Sequence, residues 1–162
     1  LELHRGTGLH VDGSATPEHI LAVNHTTLDR QVVGNRHGID VSGNHNAAGT
    51  TQIGARNNGV TITNDFKFDK NVAIVSLTSH YHARGKLFQI KIKGGVRDGE
   101  IVYENTDWAH PKVINYETPI LLQAGEGLTS VVTYVNDTNK DLGFGLTSDD
   151  EMDIIFGYYY VR

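Results

Sequence analysis

Two histidines, His80 and His82, are separated by one residue in the segment "SHYHARGK" (79–86). They follow the apolar run "NVAIVSLT", whose composition is typical of a β-strand. Because side chains alternate between the two faces of a strand, both imidazoles are predicted to lie on the same face. Two neutral imidazoles that face one point can bind a transition metal. Taken alone, the pattern favours two polar surface histidines over a metal site.

The chain contains one methionine, Met152, which opens the last predicted strand in "TSDDEMDIIFGYYY" (147–160). A buried methionine usually fills a gap among apolar neighbours. Here the flanking residues are acidic, and they are Asp149, Asp150, Glu151 and Asp153. That setting indicates a position near an edge, although a strand-start filler is the favoured structural interpretation of Met152 alone.

The two segments together resemble the copper type II, ascorbate-dependent monooxygenases, the family of peptidylglycine α-hydroxylating monooxygenase and dopamine β-monooxygenase. The resemblance is strongest in residues 60–160 and is carried by H-x-H-x-x-G-K, by TS-x-DEM with the tyrosine-rich strand after it, and by "GEGLTSVVTYVN". It implies the catalytic copper domain of that family, with a jelly-roll-like fold. It also implies that His80, His82 and Met152 bind one copper ion, where dioxygen is activated to hydroxylate a substrate C–H bond.

The sequence departs from the peptide-hydroxylating members of that family at the substrate positions. Thr78 replaces an arginine that holds the substrate carboxylate, and Ile154 and Phe156 replace an asparagine and a tyrosine. We therefore predict a largely apolar substrate wall formed by Thr78, Ile154 and Phe156. A buried carboxylate would lack its partner there. Glycine-extended peptides are not expected as substrates, and the identity of the small-molecule or peptide substrate stays open.

The chain has 162 residues, which leaves no room for the second copper domain of the full-length enzymes. The remaining histidines form no tight pair and are predicted to be scattered in loops or on the surface; they are His4, His10, His19, His25, His37, His45 and His110. Convergence of a subset, such as His25 with His37 or His45, into a second metal site stays open at the level of sequence. Electrons would come from ascorbate or a similar small reductant, from a partner protein, or from a domain missing from this chain. No catalytic residue beyond the metal ligands is predicted.

The elements that must position these residues are predicted to be β-strands throughout. Glycine-containing turns separate short runs rich in Val, Ile, Thr, Tyr and Phe, and no segment shows a sustained helical period. The predicted strands are 19–25, 60–68, 71–82, 86–93, 100–105, 118–123, 128–136 and 152–161, whereas 34–58 is predicted to be loops with short strands. This pattern predicts one domain, 1–162, with a jelly-roll-like antiparallel β-sandwich fold.

The composition excludes several classes of protein. The net charge of −5 and the scattered Lys and Arg residues argue against nucleic-acid binding. No apolar run approaches the ~20 residues that span a bilayer, so no membrane span is expected. The absence of cysteine excludes disulfides and thiolate chemistry. No signal peptide is visible, but a mature secreted protein would look the same, and we expect an extracytoplasmic (periplasmic or secreted) location.

Three functional hypotheses follow from the sequence. The first is an oxygen-activating copper domain of the monooxygenase family. The second is a copper-binding module for carriage, sensing or electron transfer, with the same ligands but no oxygenase activity. The third is a structural or interaction domain with a vestigial site. Whether the chain is an enzyme is left open by the sequence.

Overall fold

The computed structural model describes residues 37–40 and 53–162, which form eight β-strands and no α-helix. The strands are β1 (His37–Asp40), β2 (Val60–Lys67), β3 (Val72–Tyr81), β4 (Gly85–Lys93), β5 (Ile101–Asn105), β6 (Ile114–Leu122), β7 (Gly127–Tyr134) and β8 (Asp153–Val161). A short 3₁₀ helix, Gly95–Arg97, lies between β4 and β5. In this part of the chain no helix has the length and hydropathy needed to cross a bilayer.

The strands form two antiparallel sheets of four strands each. The first sheet has the order β1-β8-β3-β6, and the second has the order β2-β7-β4-β5. Both sheets contribute to one apolar core, with Ile74, Leu77 and Ile155 from the first sheet and Phe88 and Val132 from the second. The prediction of an all-β, jelly-roll-like antiparallel sandwich is therefore confirmed.

Alternation of side chains along the two central strands of the first sheet determines which residues reach this core. Leu77 of β3 and Ile155 of β8 are fully buried between the sheets, as period-two alternation requires. Each such side chain contributes about 1.5–3 kcal/mol of stability through its burial. Within each strand, the residues that alternate with these core residues point to the opposite face of the sheet. That face carries the two histidines.

The predicted strand boundaries agree with the observed ones to within about two residues, except at β6. This strand begins at Ile114 rather than at residue 118 because its first half lies at the sheet edge, where alternate residues face solvent and are polar. The edge position also explains how the strand accommodates Pro119, which has no N–H for a further partner. The predicted strand 19–25 lies outside the described residues.

Candidate metal centre

Pairing between β3 and β8 brings together, at one end of the first sheet, the two segments that carry the predicted ligands, 79–86 and 147–160. His80 pairs with Ile154, and Tyr81 pairs with Asp153 at the end of the ladder. If this register is continued by one residue, His82 lies opposite Met152. His80 and Ile154 are opposed in this antiparallel pair and therefore project from the same face of the sheet; the paired register ends at Tyr81 and Asp153.

The two imidazole rings of the predicted ligand pair are in contact. Their centroids lie 5.1 Å apart, and their planes are nearly perpendicular at 89°. The His80 ring also lies 6.1 Å from the ring of Phe156. His82 is 7 % exposed and Met152 is 1 % exposed, whereas His80 is only partly buried. The two histidines therefore lie at the end of β3. His80 is more exposed than His82 and Met152.

A hydrogen bond to the main chain orients the ring of His82. Its Nδ1 lies 2.9 Å from the carbonyl oxygen of Asp150. Because a carbonyl oxygen can only accept, Nδ1 carries the proton in this bond, and Nε2 retains its lone pair. Histidines that bind metals commonly donate their second ring N–H to a carbonyl or carboxylate in this way. The ring of His82 is thus held in a tautomer whose Nε2 can bind a metal ion.

The other imidazole, His80, is kept neutral by its surroundings. Burial, followed by the neighbouring His82, lowers the pKa of His80 below its usual value. Protonation would therefore compete with a metal ion only at acidic pH, and the His80 ring offers a free lone pair at neutral pH.

Met152 is buried but does not belong to the core between the sheets. It is 1 % exposed and lies outside the apolar cluster that contains Ile155. Its carbonyl oxygen accepts a 2.6 Å hydrogen bond from the hydroxyl of Tyr134, which fixes the main chain at this residue. The thioether is thus shielded from water, a setting that suits a soft ligand.

The acidic residues around Met152 have structural partners that sequence reasoning did not identify. Glu151 and Asp153 are buried, and their burial raises the pKa of Glu151 to about 7 and that of Asp153 to about 6. The carboxylate of Asp150 instead accepts a 2.7 Å hydrogen bond from the hydroxyl of Thr147. Three of these carboxyl groups therefore build the segment before and after Met152, and they do not form a solvent-facing cluster that would attract a cation.

The predicted substrate wall lies on the same face as the histidines. The Thr78 hydroxyl donates a 2.9 Å hydrogen bond to the carbonyl oxygen of Lys112, so it is already engaged within the protein. Ile154 is 1 % exposed, whereas Phe156 is only partly buried. Of the predicted wall residues, Phe156 and Thr78 are therefore the more accessible, and Ile154 is covered.

Most other histidines lie outside the described residues, and these are His4, His10, His19, His25 and His45. His37 belongs to β1, at the edge of the first sheet. His110 is exposed, and its Nδ1 lies 3.2 Å from a carboxylate oxygen of Asp107. Within residues 37–40 and 53–162, no group of three or more His, Cys, Asp or Glu side chains could hold a metal ion. A site formed by two histidines and one methionine contains only two side chains of these four types, so it falls outside this definition.

Comparison with known proteins adds no functional assignment. No protein-family model matches the sequence, and no curated protein matches it. The solved structures that resemble the chain include that of the infectious bursal disease virus Gx strain, with 12 % identity over 87 % of this chain and 35 % of that chain, and a TM-score of 0.31. The VP2 subviral particle of the same virus has 12 % identity over 87 % of this chain and 36 % of that chain, and a TM-score of 0.25.

The chain thus spans about a third of the length of these viral chains. Similarity at this level carries no argument about function. The fold assignment given above depends only on the strand pairing of the chain itself.

Proposed function

We propose that this chain is a mononuclear copper-binding domain, related to the oxygen-activating domain of copper type II monooxygenases, with His80, His82 and Met152 as its ligands. The observation that carries the proposal is the register of β3 with β8 together with the tautomer of His82. The register pairs β3 with β8 up to Tyr81 and Asp153, which lie directly before His82 and directly after Met152, and the bond from His82 Nδ1 to Asp150 leaves Nε2 available.

The donor set fits copper better than other common metals. Imidazole nitrogen binds both oxidation states of copper, and thioether sulfur is a soft donor that favours Cu(I). Zinc sites in proteins use histidine, cysteine and carboxylate ligands instead, and calcium and magnesium take oxygen ligands. When bound, copper supplies one-electron and dioxygen chemistry.

The residues of the chain itself would bind and orient the metal and shape the space beside it. Asp150 holds the His82 ring through its carbonyl oxygen, and burial keeps His80 unprotonated. The ring of Phe156 lies beside that of His80 and would form part of an apolar wall for a substrate. In the proposed reaction one oxygen atom of dioxygen enters the C–H bond, and the other leaves as water. Two electrons come from an external reductant such as ascorbate, and two protons come from solvent.

Copper stoichiometry provides the test of metal binding. We expect the parent chain to bind one Cu(I), and we expect the variant with His80→Ala, His82→Ala and Met152→Ala to lose at least about 100-fold in affinity, since loss of even an outer-shell partner costs 10–100-fold. Competition with a chromophoric Cu(I) chelator measures both values, and urea unfolding of each protein checks that the variant is folded. A variant that binds Cu(I) as tightly as the parent contradicts the proposal.

A second candidate function is copper carriage, sensing or electron transfer without oxygenation. It is favoured by the engaged hydroxyl of Thr78 and by the covered side chain of Ile154. These features leave few free polar groups to bind a substrate.

Oxygen uptake separates the two functions. For an oxygenase, copper-loaded protein with ascorbate and a panel of apolar C–H substrates should consume dioxygen in proportion to hydroxylated product. For a carrier or electron-transfer module, substrate should not increase the uptake above that of copper-loaded protein with ascorbate alone. The variant with three alanines supplies the baseline for uptake by free copper.

A further inference from the structure

The segment just before Met152 contacts His82 and the turn after it at two points. The carbonyl oxygen of Asp150 accepts the ring Nδ1–H of His82. The next residue, Glu151, accepts a hydrogen bond from the main chain of the turn that starts at His82. These two contacts hold the ring and the backbone at this end of β3.

We propose that Glu151 is a positioning residue that holds the His82 turn in the geometry needed for copper binding. The inference rests on the proposed function and goes beyond it, because it assigns a role to a residue that is not itself a ligand. Glu151 acts here as a buried hydrogen-bond acceptor, and its net charge is not required.

The turn after His82 depends on this carboxyl group. The N–H of Gly85 donates a 2.9 Å hydrogen bond to the carbonyl oxygen of His82, which closes the turn. The N–H of Arg84 lies inside the turn and donates a 2.8 Å bond to Oε1 of Glu151. The N–H of His82 also donates to the same carboxyl group. Glu151 therefore satisfies the donors that a buried turn would otherwise leave without partners.

The turn has little freedom to find another arrangement. A Cβ atom at Gly85 would lie 2.2 Å from Cδ2 of Tyr81, so the ring of Tyr81 packs directly against this backbone. Glu151 is fixed from its own side as well, because its N–H donates a 2.9 Å bond to the carbonyl oxygen of Gly143. A shift of either segment would move the imidazole of His82 relative to Met152.

An ion pair does not explain why a carboxyl group occupies this position. Glu151 is 0 % exposed, and the guanidinium of Arg84 is 3.1 Å from Asp137 instead. Burying a carboxyl group is unfavourable compared with an apolar residue of similar volume. The bonds to the turn that carries His82 are the interactions that an apolar residue could not make.

Two measurements on Glu151→Ala and Glu151→Gln test the proposal. In the metal-free protein, ¹⁵N NMR of the imidazole should show His82 fixed as the Nδ1–H tautomer in the parent and as a mixture in Glu151→Ala. The Cu(I) affinity of Glu151→Ala should fall by about 10–100-fold, the range for outer-shell partners. Glu151→Gln retains an acceptor oxygen and should keep most of the affinity and the parental tautomer.

The control for a general loss of stability is Ile92→Ala, which removes a buried core side chain of β4 far from the turn. Its Cu(I) affinity should equal that of the parent. If Glu151→Ala also keeps the parental affinity and tautomer, the positioning role is wrong while the copper proposal stands. If the parent itself fails to bind Cu(I), it is the proposed function that fails.

A further variant keeps the proposal testable if Glu151→Ala does not fold. Glu151→Asp retains the charge but withdraws the carboxyl group from the turn by one methylene. Positioning predicts that Glu151→Asp loses Cu(I) affinity and that Glu151→Gln keeps it. The opposite order would show that the charge matters and the position does not, and it would overturn the proposal.

Discussion

Replacing Asp153 with asparagine is expected to stabilise the metal-free protein at about pH 8, by on the order of 2 kcal/mol. Asp153 is 5 % exposed, and Oδ2 accepts hydrogen bonds of 2.6 Å from Asn64 and 2.9 Å from Ser130. Its Oδ1 is buried without a partner among residues 53–162. Burial therefore raises the pKa of this carboxyl from 3.8 to about 6.

The direction of the pH dependence follows from that shift. Because the folded state holds the proton of Asp153 more tightly than the unfolded state, the stability linked to this group is complete below the unfolded pKa and is lost as pH rises through about 6. The rise of the pKa of Asp153 from 3.8 to about 6 corresponds to about 3 kcal/mol in the free energy of unfolding. An unpaired amide N–H of the asparagine reduces this gain by about 1 kcal/mol.

Urea unfolding of parent and Asp153→Asn between about pH 4 and pH 8 measures the effect. The difference between the two free energies of unfolding should grow with pH in favour of the variant. Tyr134 faces Asp153 and has a pKa well above 10 because of burial and the nearby carboxyl groups, so it stays protonated in this pH range in both proteins. Glu151 titrates in both proteins.

The matched control is Asp65→Asn. Its partners Lys93 and Thr129 lower the pKa of Asp65 below 3.8, so the stability that Asp65 contributes is complete above that pH and is lost as pH falls below it. Relative to the parent, Asp65→Asn should lose stability as pH rises to about 5 and should show a constant difference from there to about pH 8. A difference for Asp153→Asn that is flat with pH, or that has the same sign as the control, would contradict the buried-carboxyl interpretation.

The period-two alternation of side chains along a strand was sufficient to predict which face of the sheet each residue near the candidate centre occupies. Alternation in "NVAIVSLTSHYH" placed His80 and His82 together and Tyr81 on the other face, and Tyr81 is indeed buried in the core while the two rings are in contact. Likewise, alternation after Met152 separated Ile154 from Ile155, and only Ile155 belongs to the core cluster. Local alternation carries this information because neighbouring side chains on a strand must face opposite ways.

The burial of the acidic residues and the adjacency of β3 and β8 could not be predicted in the same way. Charged residues are rarely buried, and the acidic residues around Met152 indicated only a position near an edge. Glu151 and Asp153 are nevertheless both buried against partners from distant segments. The bond from His82 to Asp150 uses a carbonyl oxygen, which every residue has, and no residue type signals it. The adjacency of β3 and β8 is a long-range pairing that period alone does not specify.

Met152→Leu is expected to weaken Cu(I) binding by at least about 10-fold, the lower limit for outer-shell changes, while changing the free energy of unfolding by less than about 1.5 kcal/mol. Leucine and methionine have similar volumes, so the buried position of Met152 stays filled, but the soft sulfur donor is lost. Cu(II) binding, which depends mainly on the imidazoles, should fall less than Cu(I) binding. Chelator competition for both oxidation states and urea unfolding measure these quantities.

Ile154→Leu is the matched control, because Ile154 lies two residues further along the same face and is equally buried. It makes a volume-conserving change without removing a donor atom, and it should leave Cu(I) affinity unchanged. Met152→Ala, which also creates a cavity, should lose about 2–5 kcal/mol of stability in addition to the affinity. Equal Cu(I) affinities for Met152→Leu, Ile154→Leu and the parent would show that the sulfur of Met152 is core packing, and they would remove it from the ligand set.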